Sequence, residues 1–342
     1  MSSAEGDKLQ LNRPDPLGVL ETTLPVVTTA KHVRIVSSAI AKYALSANSA
    51  AAPAPVEETL HCTWLPPHRF CNYLLALECL NFCFWDEEPR WRVAYGEGRH
   101  NGYWALAAAL HRALREDAIP VWEARWLAEA DEVRVGKLLR GEGRTIPLLK
   151  ERVQHLREAG EALMARWGGE FANVIKAAGG DAVALVKLVV AEFPSFRDEA
   201  VYRGQTVQFW KRAQICVADL ARLLPGDGPR AHPLGQLARR EELTAFADYK
   251  VPQVLRALGI LEYAEDLAHR VDGKIAIPMG SEEEIEIRAA TVWACELIAR
   301  ELGLAKANSR RTSAADVDMQ LWIAGQQLDN LQPYHRTRTP YY

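Results

Sequence analysis

No two of the six cysteines in this 342-residue sequence stand at CxxC spacing, which removes zinc ribbons and dithiol redox centres. Cys79 and Cys83 lie four apart in an apolar run and are expected on one helix face as small core residues. An excess of either charge is also missing. Lys and Arg number 41 against 44 Asp and Glu, a formal net charge of -3, so no global basic field draws the chain to nucleic acid. A local basic pocket for one phosphate is compatible with that balance. Long hydrophobic runs are absent as well. The longest apolar helical stretch, about 181–193, is short and carries Lys187, which excludes a spanning helix. The opening Met-Ser-Ser-Ala-Glu-Gly-Asp has no basic segment followed by an apolar one. No signal peptide is therefore expected, and the chain reads as a reduced, cytoplasmic protein without a membrane partner. Neither GxSxG, HExxH nor an EF-hand loop occurs, and the nine histidines make no recognisable metal cluster. No strand, glycine-rich turn and helix follow one another, so Rossmann and P-loop nucleotide sites are excluded.

What remains is a sequence that is 49% hydrophobic and 25% charged, enough to bury a sizeable core. Residues 1–28 are polar and punctuated by proline, and are expected to wrap the surface; residues 29–342 read as a single domain. Residues 47–55, Ala-Asn-Ser-Ala-Ala-Ala-Pro-Ala-Pro, read as a linker or loop. Helical spacing starts near Thr29 with Val33, Val36, Ile40 and Tyr43, and a strongly apolar helix follows Pro67. Further helices are expected at about 102–116, 122–140, 147–167, 170–178, 181–193, 208–224, 241–248, 252–258, 262–270, 282–302 and 313–328. Ser281 and Glu284 stand at capping-box spacing before the 282–302 helix. Trp91, Val93 and Tyr95 alternate with polar or small residues as in a short strand, and strand pairs are expected around Arg203-Gly204 and Asp272-Gly273. The fold class is mostly α, with one or two small β ribbons.

Chemistry must come from individually placed side chains. Asp248 lies between Phe246 and Tyr249, ahead of Pro252, which suits the first turn of a helix. A carboxylate there feels the positive end of that helix and would stay ionised; it can cap the helix or act on a substrate. Lys211 and Arg212 sit at the head of an apolar helix, where they oppose its macrodipole. A phosphate or a neighbouring carboxylate would compensate them. Asp318 stands one turn before Leu321 and Trp322, at the edge of an aromatic wall or on a solvated face. The last ten residues, with His335, Arg336, Arg338, Tyr341 and Tyr342, are too aromatic for a free tail and are expected to dock on the body. His61, next to Cys62-Thr63-Trp64, is a further candidate.

Taken in order, certain segments resemble the queuosine salvage protein family. They are Asn81-Phe82-Cys83-Phe84-Trp85, Gly102-Tyr103-Trp104, Phe193-Pro194-Ser195-Phe196-Arg197-Asp198 and Phe209-Trp210-Lys211-Arg212-Ala213-Gln214. Further along they are Phe246-Ala247-Asp248-Tyr249 with Pro252-Gln253, Glu284-Ile285-Glu286-Ile287-Arg288, Asp318 with Leu321-Trp322, His335-Arg336 and Tyr341-Tyr342. The match runs from about residue 30 to the end. The resemblance implies a fold like that of helix-hairpin-helix DNA glycosylases, with the hairpin at the Asp248 turn. It implies hydrolysis of queuosine 5′-phosphate to queuine and ribose 5-phosphate, without metal or organic cofactor. It makes Asp248 the catalytic carboxylate and places His61, Phe246 and Asp318 around the queuine base. Lys211 and Arg212 are expected at the 5′-phosphate, with Arg338 in reserve. The family pattern carries Tyr and Asp around the Leu-Trp pair, where this chain has Met319 and Ile323, so some base contacts are expected to differ. A glycosylase acting on nucleic acid and a non-catalytic queuine-binding protein are the alternatives.

Overall fold

The computed structural model describes residues 9–49, 60–226, 228, 231–305, 312–328 and 331–342. Helices dominate, and the strands among the described residues form two-stranded antiparallel sheets. Contacts group the chain into two compact units. The first takes residues 1–56, 198–211 and 239–338; the second takes 57–197, 212–238 and 339–342. No described helix is long and apolar enough to cross a membrane.

The first unit is organised on helix Glu282–Ala305. Every residue from Glu284 to Ala299 is buried, so its apolar residues meet neighbours on all sides while Glu284, Glu286, Arg288 and Glu296 require polar partners. Helices Val19–Thr29, Ser37–Ser49, Lys250–Ala257 and Ala314–Gln327 pack against it. At its start Ser281 Oγ accepts the Glu284 N–H at 3.3 Å, while the Glu284 carboxylate turns to the Gly280 N–H at 3.1 Å. A complete capping box, not anticipated from sequence, opens helix Ala314–Gln327 at Ser313 and Asp316. Residues 205–208 pair with 199–202 around Arg203-Gly204, as expected.

Four expectations in this unit need correction. The helical spacing from Thr29 is interrupted, because Val33–Ile35 is a strand paired with Leu261–Tyr263 in the register Val33↔Tyr263. The partner comes from a remote part of the chain, where local periodicity carries no information about it. Asp272-Gly273 is not a hairpin turn but the end of helix Glu265–Asp272, and the Asp272 carboxylate binds Arg256 at 2.6 and 2.9 Å. The expected 241–248 helix is a 3-10 turn, Arg240–Glu242, followed by irregular chain. Residues 9–28, expected as a polar surface wrap, include the start of helix Val19–Thr29, whose Val19, Leu20, Val26 and Val27 are buried.

The second unit centres on helix Pro67–Leu80, buried from Phe70 to Leu80. Asn72 staples it to neighbouring segments. Its Nδ2 donates to the carbonyls of Trp122 and Gly169 at 2.9 and 2.8 Å, and its Oδ1 accepts the Phe171 N–H at 2.7 Å. Helix Leu149–Arg166 crosses helix Ala124–Ala128 at Gly160. A Cβ there would lie 2.2 Å from the Ala128 nitrogen, so only glycine allows the approach. The expected 122–140 helix is two helices, because Asp131 caps Glu132–Leu138 by accepting the Arg134 N–H at 2.7 Å. The short strand expected at Trp91, Val93 and Tyr95 is Arg92–Tyr95, and it pairs with Gly98–Asn101 as a ribbon. All six cysteines are free and buried. Cys83 falls beyond the helix end with φ 41°, so it does not share a helix face with Cys79.

Candidate active site

Asp248 ends the irregular stretch before helix Lys250–Ala257. Its Oδ1 accepts the N–H groups of Lys250 and Val251, both at 2.8 Å, and so satisfies two donors that the helix start would leave open. Pro252 follows, where its missing N–H costs nothing. Capping and chemistry are compatible in one side chain here, because both bonds end on Oδ1 and Oδ2 stands outside them. Two residues earlier the buried Phe246 donates its N–H to Asp318 Oδ1 at 3.0 Å. That bond explains why residues 243–248 are not helical: the amide is committed to a side chain from helix Ala314–Gln327. Lys211 is buried at the head of helix Lys211–Leu223, and its own N–H donates to Asp198 Oδ2 at 3.2 Å.

The electrostatics separate the two carboxylates. Burial raises the Asp248 pKa above the usual range, against the Lys211 charge and the two amide bonds, which lower it. Asp318 is pushed well above that range by burial and by the charge of Asp248, with the Phe246 amide and Lys211 opposing. Helix polarity alone, the argument available from sequence, omits the burial that acts against ionisation. Lys211 acts on both carboxyls and Lys250 on Asp248 as well, so ionisation is favoured at Asp248 over Asp318.

His61 and Arg212 belong to the second unit, whereas Asp248, Phe246, Asp318 and Lys211 belong to the first. His61 Nε2 lies 2.8 Å from the Tyr103 hydroxyl, and its buried Nδ1 has no partner among the described residues. The Tyr103 and Trp104 rings stand 5.9 and 6.0 Å from the imidazole. Burial lowers the His61 pKa to about 4, with Asp219 opposing and Arg222 assisting, so the ring is neutral at pH 7. Arg212 donates to the carbonyls of Glu78 at 2.9 Å, Cys79 at 3.3 Å and Ser195, with Phe82 and Phe196 against its guanidinium. Backbone carbonyls thus compensate this charge inside its own unit.

The tail docks as expected. The Arg336 carbonyl accepts the Ile277 N–H at 2.8 Å, and His335 is buried, its pKa lowered to about 3 by burial and by Arg288. Cys83 donates its N–H to the Tyr342 carbonyl at 2.9 Å. Arg338 is exposed. Among the described residues, one histidine does join a spatial cluster, His32 with Glu282 and Glu286, whose ligand atoms lie within 4.8 Å of one another. Its carboxylates are already engaged. Glu282 pairs with Arg203 at 2.8 Å, and Glu286 accepts the Lys31 and His32 amides and the Tyr202 hydroxyl.

Sequence reasoning named the segments of Asp198 and Arg288 but gave neither residue a role. Arg288 binds Asp198 through both guanidinium nitrogens, at 2.8 and 2.5 Å, and its Nε donates to the Ala247 carbonyl at 3.2 Å. The available signal was the charged residues Glu284, Glu286 and Arg288 set among apolar ones in a helix pattern, which demands buried partners.

The family model for the queuosine salvage protein matches residues 61–342. A Sphaerobacter thermophilus protein named queuosine 5′-phosphate N-glycosylase/hydrolase is 47% identical over 331 residues, covering 96% of this chain and 98% of its own. Proteins of the same name from Mus musculus and Dictyostelium discoideum are 35% and 36% identical over 282 and 272 residues. Each alignment covers 79% of this chain, and 81% and 78% of theirs. The chain belongs to the queuosine salvage protein family.

Proposed function

We propose that this protein hydrolyses the N-glycosidic bond of queuosine 5′-phosphate, releasing queuine and ribose 5-phosphate for queuine salvage into tRNA. The observation that carries the reading is the buried pair of carboxyls, Asp248 held by the Lys250 and Val251 amides and Asp318 by the Phe246 amide, with the Asp248 charge raising Asp318 and Lys211 opposing burial at both. The names of the relatives supply the substrate; the pair supplies the chemistry. We read residues 29–342 as one glycosylase domain, and the Asp248 turn with its following helix as the hairpin of a helix-hairpin-helix fold. The protein acts in the cytoplasm on a free nucleotide, with no stable nucleic acid partner and no cofactor.

Cleavage builds positive charge on the ribose as the bond to the base breaks. Asp248, ionised and fixed by two amides, stabilises or attacks that cation, an effect worth several kcal/mol in a water-poor site. Queuine is a 7-deazaguanine and lacks N7, the usual purine position for protonating the leaving group. Asp318 is the group that keeps a proton, so it donates to the polar edge of the departing base. The bonding electrons leave with the base, the water oxygen bonds C1′, and the proton that the water sheds replaces the one given by Asp318. Phe246 stacks on the base, a contact worth about 1–3 kcal/mol. His61, in the second unit, is neutral and has a buried Nδ1 without a partner among the described residues, so it can offer a ring nitrogen to a ligand. Lys211 supplies the positive charge for the 5′-phosphate. Arg212, which donates to backbone carbonyls of its own unit, is not read as a phosphate ligand.

Incubating the purified protein with queuosine 5′-phosphate and detecting queuine by chromatography tests this reading. Release by wild type and not by Asp248→Asn supports it. A folded wild-type protein that binds queuine and releases none would make it a carrier, and release only from an oligonucleotide would make it a nucleic acid glycosylase.

A further inference from the structure

We infer that Asp198 and Arg288 form the positioning device of this site, fixing the backbone that carries Asp248 and the backbone that carries Lys211 through one buried ion pair. The inference rests on the hydrolase reading above. Both residues are buried in the first unit, and neither is assigned to the substrate.

Arg288 reaches the Asp248 segment directly. Its Nε donates to the Ala247 carbonyl at 3.2 Å, and Ala247 lies between Phe246 and Asp248. These three residues are thereby pinned in succession: Phe246 N–H on Asp318, Ala247 carbonyl on Arg288, and Asp248 Oδ1 on the following helix. Asp198 reaches the Lys211 segment. Its carbonyl accepts the N–H groups of Phe209 and Trp210 at 3.0 and 3.2 Å, and its Oδ2 accepts that of Lys211 at 3.2 Å. Trp210 is held at φ 49°, a left-handed conformation that a bulky residue adopts only when its surroundings dictate it. The Arg288 guanidinium also lies 3.9 Å from the centre of the Phe209 ring and 3.7 Å from Glu284.

Stability gives a weak reason to keep such a pair. Two charges removed from water recover little more than their desolvation cost, and apolar pairs of similar volume often replace them without loss. What an apolar pair cannot do is hold a carbonyl and an amide at fixed positions on opposite sides. The bidentate fork, with a third donor on Ala247, makes arginine specific here; lysine cannot satisfy all three acceptors.

The test uses the full chain and three variants: Asp198→Asn, Arg288→Lys, and the double variant Asp198→Leu with Arg288→Met. Hydrolysis of queuosine 5′-phosphate is measured per folded molecule, with the folded fraction taken from near-UV circular dichroism. The double variant is expected to stay folded but to melt below wild type, because the Lys211 N–H and the Ala247 carbonyl lose their partners. In all three, kcat is expected to fall roughly 10²-fold with a smaller rise in KM, the signature of a displaced reacting group beside a loosened phosphate contact. Wild-type kcat in folded Arg288→Lys or in the double variant overturns the inference, as does a loss that follows the folded fraction alone. Arg288→Lys keeps the buried charge and gives a second reading should the double variant fold poorly. A folded wild type that releases no queuine overturns the hydrolase reading instead.

Discussion

Phe246 and Asp318 are joined by a single hydrogen bond, from the phenylalanine's backbone N–H to the aspartate's Oδ1 at 3.0 Å. It couples the ring proposed to stack on the base to the carboxyl proposed to protonate it. Side-chain replacements at 246 leave this bond available, whereas removing the acceptor at 318 releases the segment that leads into Asp248.

Asp248→Asn should separate binding from turnover. The amide oxygen can still accept the Lys250 and Val251 N–H groups, so the fold and queuine affinity are expected to persist. Turnover should fall on the order of 10²–10³-fold, because the fixed negative charge is gone. Single-turnover hydrolysis with calorimetric queuine binding checks both halves. A variant with wild-type turnover would remove Asp248 from the chemistry.

The pH profile should be a bell. Activity rises as Asp248 ionises and falls as Asp318, whose pKa stands well above the usual carboxylate range, gives up its proton. Asp318→Asn should lower kcat by about 10²-fold and flatten the alkaline side. An unchanged alkaline limb in that variant would assign it to another group.

Asp318 also makes a stability prediction with a definite sign. A carboxyl whose folded pKa is raised binds its proton more tightly in the folded state, so stability declines as pH rises from the unfolded value near 3.8 towards the folded one. Asp318→Asn removes that penalty. Its melting temperature should exceed that of wild type at pH 8 by more than at pH 4, as differential scanning calorimetry would show.

Lys211→Met tests the phosphate. Loss of its charge should raise KM for queuosine 5′-phosphate roughly 10- to 100-fold, as expected for a hydrogen bond to a charged group, and should leave unphosphorylated queuosine little affected. The acid limb should move to higher pH, because Lys211 holds the Asp248 pKa down. Equal effects on nucleotide and nucleoside would place the phosphate elsewhere.

Tyr103→Phe removes the hydroxyl 2.8 Å from His61 Nε2. The imidazole then loses the bond that orients it, and KM is expected to rise about tenfold with a smaller change in kcat. Steady-state kinetics on the folded variant decide this, and an unaltered KM would mean that the hydroxyl does not orient the ring.

Elements whose causes are local could be read from sequence. Helix Leu149–Arg166, helix Ala182–Glu192 and the ribbon around Arg203-Gly204 appear within a few residues of where periodicity puts them. The strand pair of Val33–Ile35 with Leu261–Tyr263 could not, because each strand is too short to announce itself and its partner is remote. The site divides the same way. Asp248 was visible as a carboxylate before a proline-started helix, and ordered motifs marked Phe246 and Asp318. Arg212 looked from sequence like its neighbour Lys211, yet its guanidinium turns to the carbonyls of Glu78 and Ser195. Adjacent residues on a helix point about 100° apart, so one basic pair serves two environments.

The discontinuous makeup of the first unit has a consequence for how the protein comes into being. Its opening strand leaves the ribosome long before Leu261–Tyr263, while most of the second unit lies in the interval between them. The early segment must therefore wait, its apolar side without a partner, until translation nears completion. Slowing the ribosome within residues 57–238 lengthens that wait without altering one contact of the finished protein. Yield of active enzyme should therefore depend on codon usage and chaperone supply more than the stability of the folded state would suggest.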